Sequence, residues 1–204
     1  MSQTIKVSRQ DIIWGYFAQF FSIASGIIIL PMVLRMLSAE EVGMNYLMLS
    51  VGQLVTLVDF GFSPQFGRNV TYVYSGAQRL LKNGIETLDS FVKVEINYSL
   101  LAALIQTARW IYRLMGGVVL LLMLTAGTGY VYQVTAGFSN LPNSLLIWLI
   151  YSAGVFFQIY YSYYSALLTG SGKIKESKKA MVYSNVLKIV LTYVLLYAGY
   201  GLLG

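Results

Sequence analysis

The chain has 204 residues, of which 57% are hydrophobic and only 11% charged, against about 25% charged in a typical soluble domain. It contains no histidine and no cysteine, which excludes disulfides, thiolate chemistry and the commonest general base and metal ligand. The formal charge of +6 fits the basic excess that membrane proteins carry on cytoplasmic loops, and it is not read as a nucleic-acid surface.

Two charge-free runs decide the class. Ile12 to Leu34 holds no Asp, Glu, Lys or Arg, and neither does Leu114 to Gly172. One span needs roughly 20 apolar residues, so the second run predicts two spans with a turn between them. The expectation is an all-α polytopic membrane protein with about five transmembrane helices and a cytoplasmic amphipathic helix. A β-barrel would alternate over segments of about ten residues, and no such alternation is seen. The whole chain, 1–204, reads as one transmembrane domain. Its spans lie near 12–36, 42–62, 114–134, 145–168 and 180–203, with a cytoplasmic segment at 68–113.

Residues 1–11 form a short polar lead. Lys6 and Arg9 resemble a signal-peptide n-region, but the apolar run after them is longer than the usual 7–15 residues, so a retained first span is expected. In that span Gln19, Ser22 and Gly26 recur at helical spacing, with Tyr16 and Ser25 close by. The stripe suits either a helix-packing seam or a cavity lining. Pro31 is expected to kink the helix late. The turn S-A-E-E-V-G follows. Ser38 with Glu41 three residues on reads as a capping box for span 2.

Span 2 runs from about Val42 and ends in the stretch V-D-F-G-F-S-P-Q-F-G-R, Val58 to Arg68. Asp59 stands where the run should still be in the bilayer, a placement that costs about 2.5 kcal/mol or more. The helix is expected to continue past Pro64 with a bend. Residues 68–113 carry Arg68, Arg79, Lys82, Lys93, Arg109 and Arg113 with Glu86, Asp89 and Glu95, and read as solvent-facing. Asn97 to Met115 is amphipathic and is expected to run as one helix into span 3. F-S-N-L-P-N-S at Phe138 to Ser144 is a turn, with Asn143 or Ser144 as the cap. Span 4 ends in a tyrosine cluster, Tyr160, Tyr161, Tyr163 and Tyr164, which suits a membrane interface. A basic loop leads to span 5, where Lys188 falls about eight residues in, or about 12 Å along.

Twelve of the fourteen lysines and arginines fall on one side of this arrangement. Arg35 lies opposite, and Lys188 lies inside span 5. The basic side is cytoplasmic by the positive-inside rule, which places the N-terminus there and the end of span 5 outside.

No enzyme constellation is present, and no cofactor is implied. G-S-G-K at Gly170 to Lys173 lacks the G-x-x-x-x-G-K-[ST] spacing and does not follow a strand, so it reads as a flexible basic turn. The candidate substrate-binding or coupling groups are the ionisable and polar side chains of the spans: Asp59, Lys188, Arg68, Arg35, Gln19 and Gln53. Each has a plainer reading. Arg35 and Arg68 suit interfacial anchoring, Lys188 can snorkel, and Asp59 can be neutral or paired with a cation. The functional alternative is a cavity where cations receive an anionic substrate and Asp59 couples to a cation or proton.

The pattern L-P-M-V-L-R-M-L-S-A-E-E-V-G, followed by D-F-G-F-S-P-Q-F-G-R, resembles the opening of bacterial O-antigen flippases. These belong to the polysaccharide transport branch of the multidrug/oligosaccharidyl-lipid/polysaccharide exporter superfamily. I-N-Y-S-L-L, A-R-W-I-Y and L-L-T-G-S-G-K-I-K extend the likeness over nearly the whole chain. The resemblance implies transport of undecaprenyl-diphosphate-linked oligosaccharide across the bacterial inner membrane by alternating access, with charged groups in a central cavity. Arg35, Asp59, Arg68 and Lys188 match those groups by position. Such flippases have about twelve to fourteen spans in two lobes, whereas five are read here. The expectation is therefore the N-terminal portion of a flippase: a truncated product, a split subunit or a fragment. Its partners would be the lipid-linked substrate, membrane lipids and either the missing C-terminal portion or other polysaccharide-assembly membrane proteins. The alternatives are a small polytopic scaffold or assembly subunit without transport, and a related exporter of small cationic drugs.

Overall fold

A computed structural model describes residues 8–59, 61–81, 84–85, 95–139, 141 and 143–203. Lys6, Phe60, Lys82, Glu86, Asp89, Lys93, Asn140 and Pro142, which enter the sequence argument, lie outside the described residues. The chain is a helical, multi-pass membrane protein. Its helices are α1 (Arg9–Met36), α2 (Ala39–Thr56), α3 (Phe62–Tyr74), α4 (Tyr98–Leu122), α5 (Thr128–Thr135), α6 (Ser144–Gly170) and α7 (Ile174–Tyr197). The pairs Leu80–Leu81 and Gly84–Ile85 form a minimal antiparallel hairpin. Five stretches among the described residues are long and apolar enough to cross a membrane: Arg9–Met36, Ala39–Asp59, Tyr98–Thr135, Ser144–Gly170 and Ile174–Tyr197. Only 11–28% of their apolar windows is buried within the chain. Most of their apolar surface therefore faces outward, as lipid-solvated helices require.

Two helix groups make up the fold. In the first, α1 packs along α7. Asp11, Ala18, Ser25 and Val33 are the buried positions of α1, a spacing close to seven that keeps one seam against its partner. Small residues at Ala18 and Ser25 let the helices approach closely. Of the expected stripe, Ser25 lies on this seam, whereas Gln19 and Gly26 are exposed and lie off it. Pro31 lies inside α1 on an exposed face.

In the second group α6 is central and packs against α2, α3, α4 and α5. Trp148 shows why the α4–α5 helix is irregular. Its indole Nε1 donates to the Met123 carbonyl across 3.1 Å. Thr128 Oγ1 donates to the same oxygen across 3.2 Å. A single π turn at Met123–Gly127 joins α4 to α5 there, as expected when side chains take a carbonyl from the helical ladder. Gly127 is required, because a Cβ would stand 2.6 Å from the Trp148 ring.

The capping box read from S-A-E-E is present. Glu41 N–H donates to Ser38 Oγ across 3.3 Å, and Ser38 N–H donates to Glu41 Oε2 across 2.9 Å. Span 2, in contrast, does not bend through Pro64. It tightens into a 3₁₀ turn at Leu57–Asp59 and stops, and Gly61, at φ +81°, starts α3 as a separate helix. The left-handed conformation suits glycine, and Pro64 then falls in the first turn of α3, where its missing N–H costs nothing. The segment from 68 is also not uniformly solvent-facing. Phe66, Val70 and Val73 are buried at i, i+4 and i+7 against α4 and α6. Arg68, the one basic residue of α3, is on its exposed face.

Candidate functional site: a lysine-lined cleft and a separate acid at the bundle rim

The two helix groups enclose a cleft of about 500 Å³. Gly26, Ile29 and Val33 of α1 form one wall, Asn45, Met48 and Leu49 of α2 another, and Lys188, Thr192 and Leu196 of α7 a third. Tyr151 of α6 lies at the back, donating its hydroxyl to the Met48 carbonyl across 2.6 Å. The lining is apolar apart from Asn45, Tyr46, Tyr151, Thr192 and Lys188. Among the described residues Lys188 is thus the one cation on the wall. Because α7 starts at Ile174, Lys188 stands about 21 Å along the helix. It is equally distant in sequence from Lys179 and from Tyr197.

Asp59 lies elsewhere, among α2, α4 and α6, in a pocket of about 230 Å³ with Ser63, Tyr112, Gln158 and Ser162. Its Oδ1 accepts from the Tyr112 hydroxyl across 2.9 Å. Both carboxylate oxygens accept from the Ser63 backbone N–H across 3.3 Å. That N–H is one of the unsatisfied donors of the first turn of α3, so Asp59 caps the helix and meets the positive end of its dipole. Its partners among the described residues are a phenol and a backbone amide, and no cation is among them.

The remaining candidates are dispersed. Arg68 is exposed, is held by the Gln65 side chain, and faces a third pocket of about 330 Å³ with Ser63, Thr71, Ser165 and Thr169. Arg35 is exposed in the last turn of α1, and Gln19 and Gln53 are exposed on their helices. None of these three lines the cleft or the two pockets. The six candidates do not converge on one site: Lys188 has the cleft, and Asp59 and Arg68 each has its own pocket.

Sequence reasoning did not single out Tyr112, and did not bring Tyr163 and Arg109 together with it. Tyr112 and Tyr163 are almost fully buried, with ring centroids 6.3 Å apart. Arg109 Nε donates to the Tyr163 hydroxyl across 3.3 Å. The signal available was spacing: Ala108 and Tyr112 share the buried face of α4 with Leu101 and Gly116. A search of protein-family models, curated proteins and solved structures yields no match to this chain.

Proposed function

We propose that the chain forms part of a carrier moving undecaprenyl-diphosphate-linked oligosaccharide across the bacterial inner membrane by alternating access, with its N-terminus cytoplasmic. The observation carrying this reading is Lys188 on the wall of the cleft between the α1–α7 pair and the α2–α6 group. A diphosphate crossing a membrane needs a cation in a cavity, and an intramembrane lysine facing a cavity is a functional candidate for that reason. The apolar rest of the wall suits the lipid side of such a substrate. The cleft volume falls within the range of about 300–1,000 Å³ usual for small-molecule sites. It suits a headgroup portion, so the oligosaccharide would pass between this unit and a second lobe supplied by further transmembrane helices.

The test uses cells of the source bacterium lacking the gene, complemented with wild type, Lys188→Ala or Lys188→Arg. Surface polysaccharide and the pool of lipid-linked oligosaccharide are measured, with membrane abundance as the folding control. The expected result is loss of surface polysaccharide with Lys188→Ala, accumulation of the lipid-linked precursor and partial rescue by Lys188→Arg. Normal polysaccharide in the deletion strain would overturn the reading. Loss in the deletion strain with full restoration by Lys188→Ala would overturn it in favour of a scaffold without transport.

A further inference from the structure

The outward face of α4 carries a groove of about 360 Å³ lined by Trp110, Arg113, Leu114, Gly117, Val118 and Leu121. These positions follow i, i+3, i+4, i+7, i+8 and i+11, which is one face of one helix. Trp110, Leu114, Val118 and Leu121 are 52–65% exposed. Gly117 forms the floor. A Cβ there would meet nothing within 4 Å, so no neighbouring helix requires glycine at this point. The helix nevertheless carries a residue that costs about 1 kcal/mol relative to alanine, and the result is a dent between two rows of apolar side chains.

The depth of the groove follows from two separate helices. Arg113 is the last charged residue before a charge-free run that ends only after Gly172. One turn earlier, Arg109 bonds to Tyr163, which belongs to the tyrosine cluster at the end of α6. The arginines of α4 and the tyrosines of α6 therefore share a level, and both residue types favour the membrane interface. From Arg113 to Thr135, where α5 ends, the helix runs about 33 Å, the thickness of one hydrocarbon core. Trp110 and Arg113 thus stand at headgroup level. From Arg113 to Leu121 the helix descends about 12 Å into the acyl region.

We propose that this groove is a binding site for an anionic phospholipid. The phosphate meets the Arg113 guanidinium, Trp110 lies against the headgroup region, and one acyl chain runs over Gly117 between Leu114, Val118 and Leu121. The charge of the lining selects the headgroup: among the described residues it contains one arginine and no acid. A lipid with net negative charge is favoured over a zwitterionic one whose own cation would meet this arginine. The site does not depend on the transport reading.

The test is native mass spectrometry of the purified full chain in detergent with equimolar phosphatidylglycerol and phosphatidylcholine. Wild type is expected to retain phosphatidylglycerol preferentially. Arg113→Gln should weaken that retention roughly tenfold, the effect of one charged hydrogen bond, and leave phosphatidylcholine unchanged. Gly117→Leu, whose Cβ meets nothing within 4 Å, fills the dent and should reduce retention of both lipids. Arg79→Gln, with the same loss of charge at an exposed position elsewhere, should behave as wild type. Equal retention of the two lipids by wild type overturns the proposal. So does wild-type retention in both Arg113→Gln and Gly117→Leu, or a loss in Arg79→Gln equal to that in Arg113→Gln.

Discussion

The Tyr112 hydroxyl donates to Asp59 Oδ1 across 2.9 Å, tying the end of the second span to the interior of α4. The same carboxylate holds the first turn of α3 through the Ser63 N–H. Three elements therefore meet at one acid. Tyr112→Phe removes one of these bonds without removing the ring, and should destabilise the protein by about 0.5–1.5 kcal/mol. Asp59→Ala removes both and should cost about 1–3 kcal/mol more than a simple truncation, since it leaves a buried hydroxyl and a helix-end amide unpaired. Thermal unfolding of the single and double variants in detergent gives the coupling energy. A double variant whose loss equals the sum of the singles would show that the two side chains do not interact.

The contact between α3 and α6 depends on glycine at one point. A Cβ at Gly170 would stand 2.8 Å from Val70 Cβ and still closer to the Gly67 carbonyl oxygen. Thr71 Oγ1 lies in the same crossing, within 3.0 Å of the Gly170 carbonyl oxygen. Gly170→Ala must therefore push the helices apart and break that bond, at an expected cost of about 1–3 kcal/mol. Gly154→Ala on the same helix meets nothing within 4 Å and should be neutral or slightly stabilising, because alanine is the better helix former. Melting temperatures of the two variants decide the matter, and equal values would contradict the close approach.

The helical class was legible in the two charge-free runs, because a bilayer admits few charges and their absence needs no knowledge of contacts. The Ser38–Glu41 capping box was legible because it is closed within four residues. The environment of Asp59 was not. Its partner Tyr112 is 53 positions away, and a tyrosine on an apolar helix face gives no sign of which acid its hydroxyl meets. The break at Gly61 is not legible, since glycine and proline together allow either a bend or a stop. Phe66, Val70 and Val73 carry the helical period of a buried face, but the basic residues of 68–113 obscure it. Gln19 and Gln53 were attractive only as polar residues in apolar runs, and their exposed positions depend on which face each helix turns inward.

The first turns of α1 and α7 share one carboxylate. Asp11 Oδ2 accepts from Ser8 N–H across 2.7 Å, and its Oδ1 accepts from Lys175 N–H across 3.0 Å. The residue caps its own helix and also satisfies an orphan donor of the other. Asp11→Ala should destabilise by about 1–2 kcal/mol, in the range of a lost cap. The diagnostic readout is hydrogen exchange at the Lys175 amide, which should quicken in Asp11→Ala. Unchanged protection there would mean that the carboxylate does not hold α7.

At the other end of this helix pair, two adjacent acids connect three turns. Glu41 Oε1 accepts from Leu202 N–H across 3.0 Å while its Oε2 accepts from Ser38 N–H. Glu40 Oε1 accepts from Ser139 N–H across 3.2 Å. The α1–α2 turn is thereby joined both to the turn before α6 and to the segment after α7. Leu37 and Leu202 line the cleft at this end, so the Glu41 bond to Leu202 holds that end closed. Glu41→Ala should release it, and Glu41→Gln, which keeps one acceptor oxygen in place of two, should have an intermediate effect. The native chain has no cysteine, so a single Leu37→Cys substitution gives a clean probe for maleimide labelling. Leu37 is buried, and its labelling should be slow with Glu41 in place. Labelling should be several-fold faster in the Glu41→Ala background and faster to a lesser degree with Glu41→Gln. Equal labelling rates in all three backgrounds would show that the cleft end is held by the apolar packing of Val33, Leu37 and Leu196, with no contribution from the carboxylate.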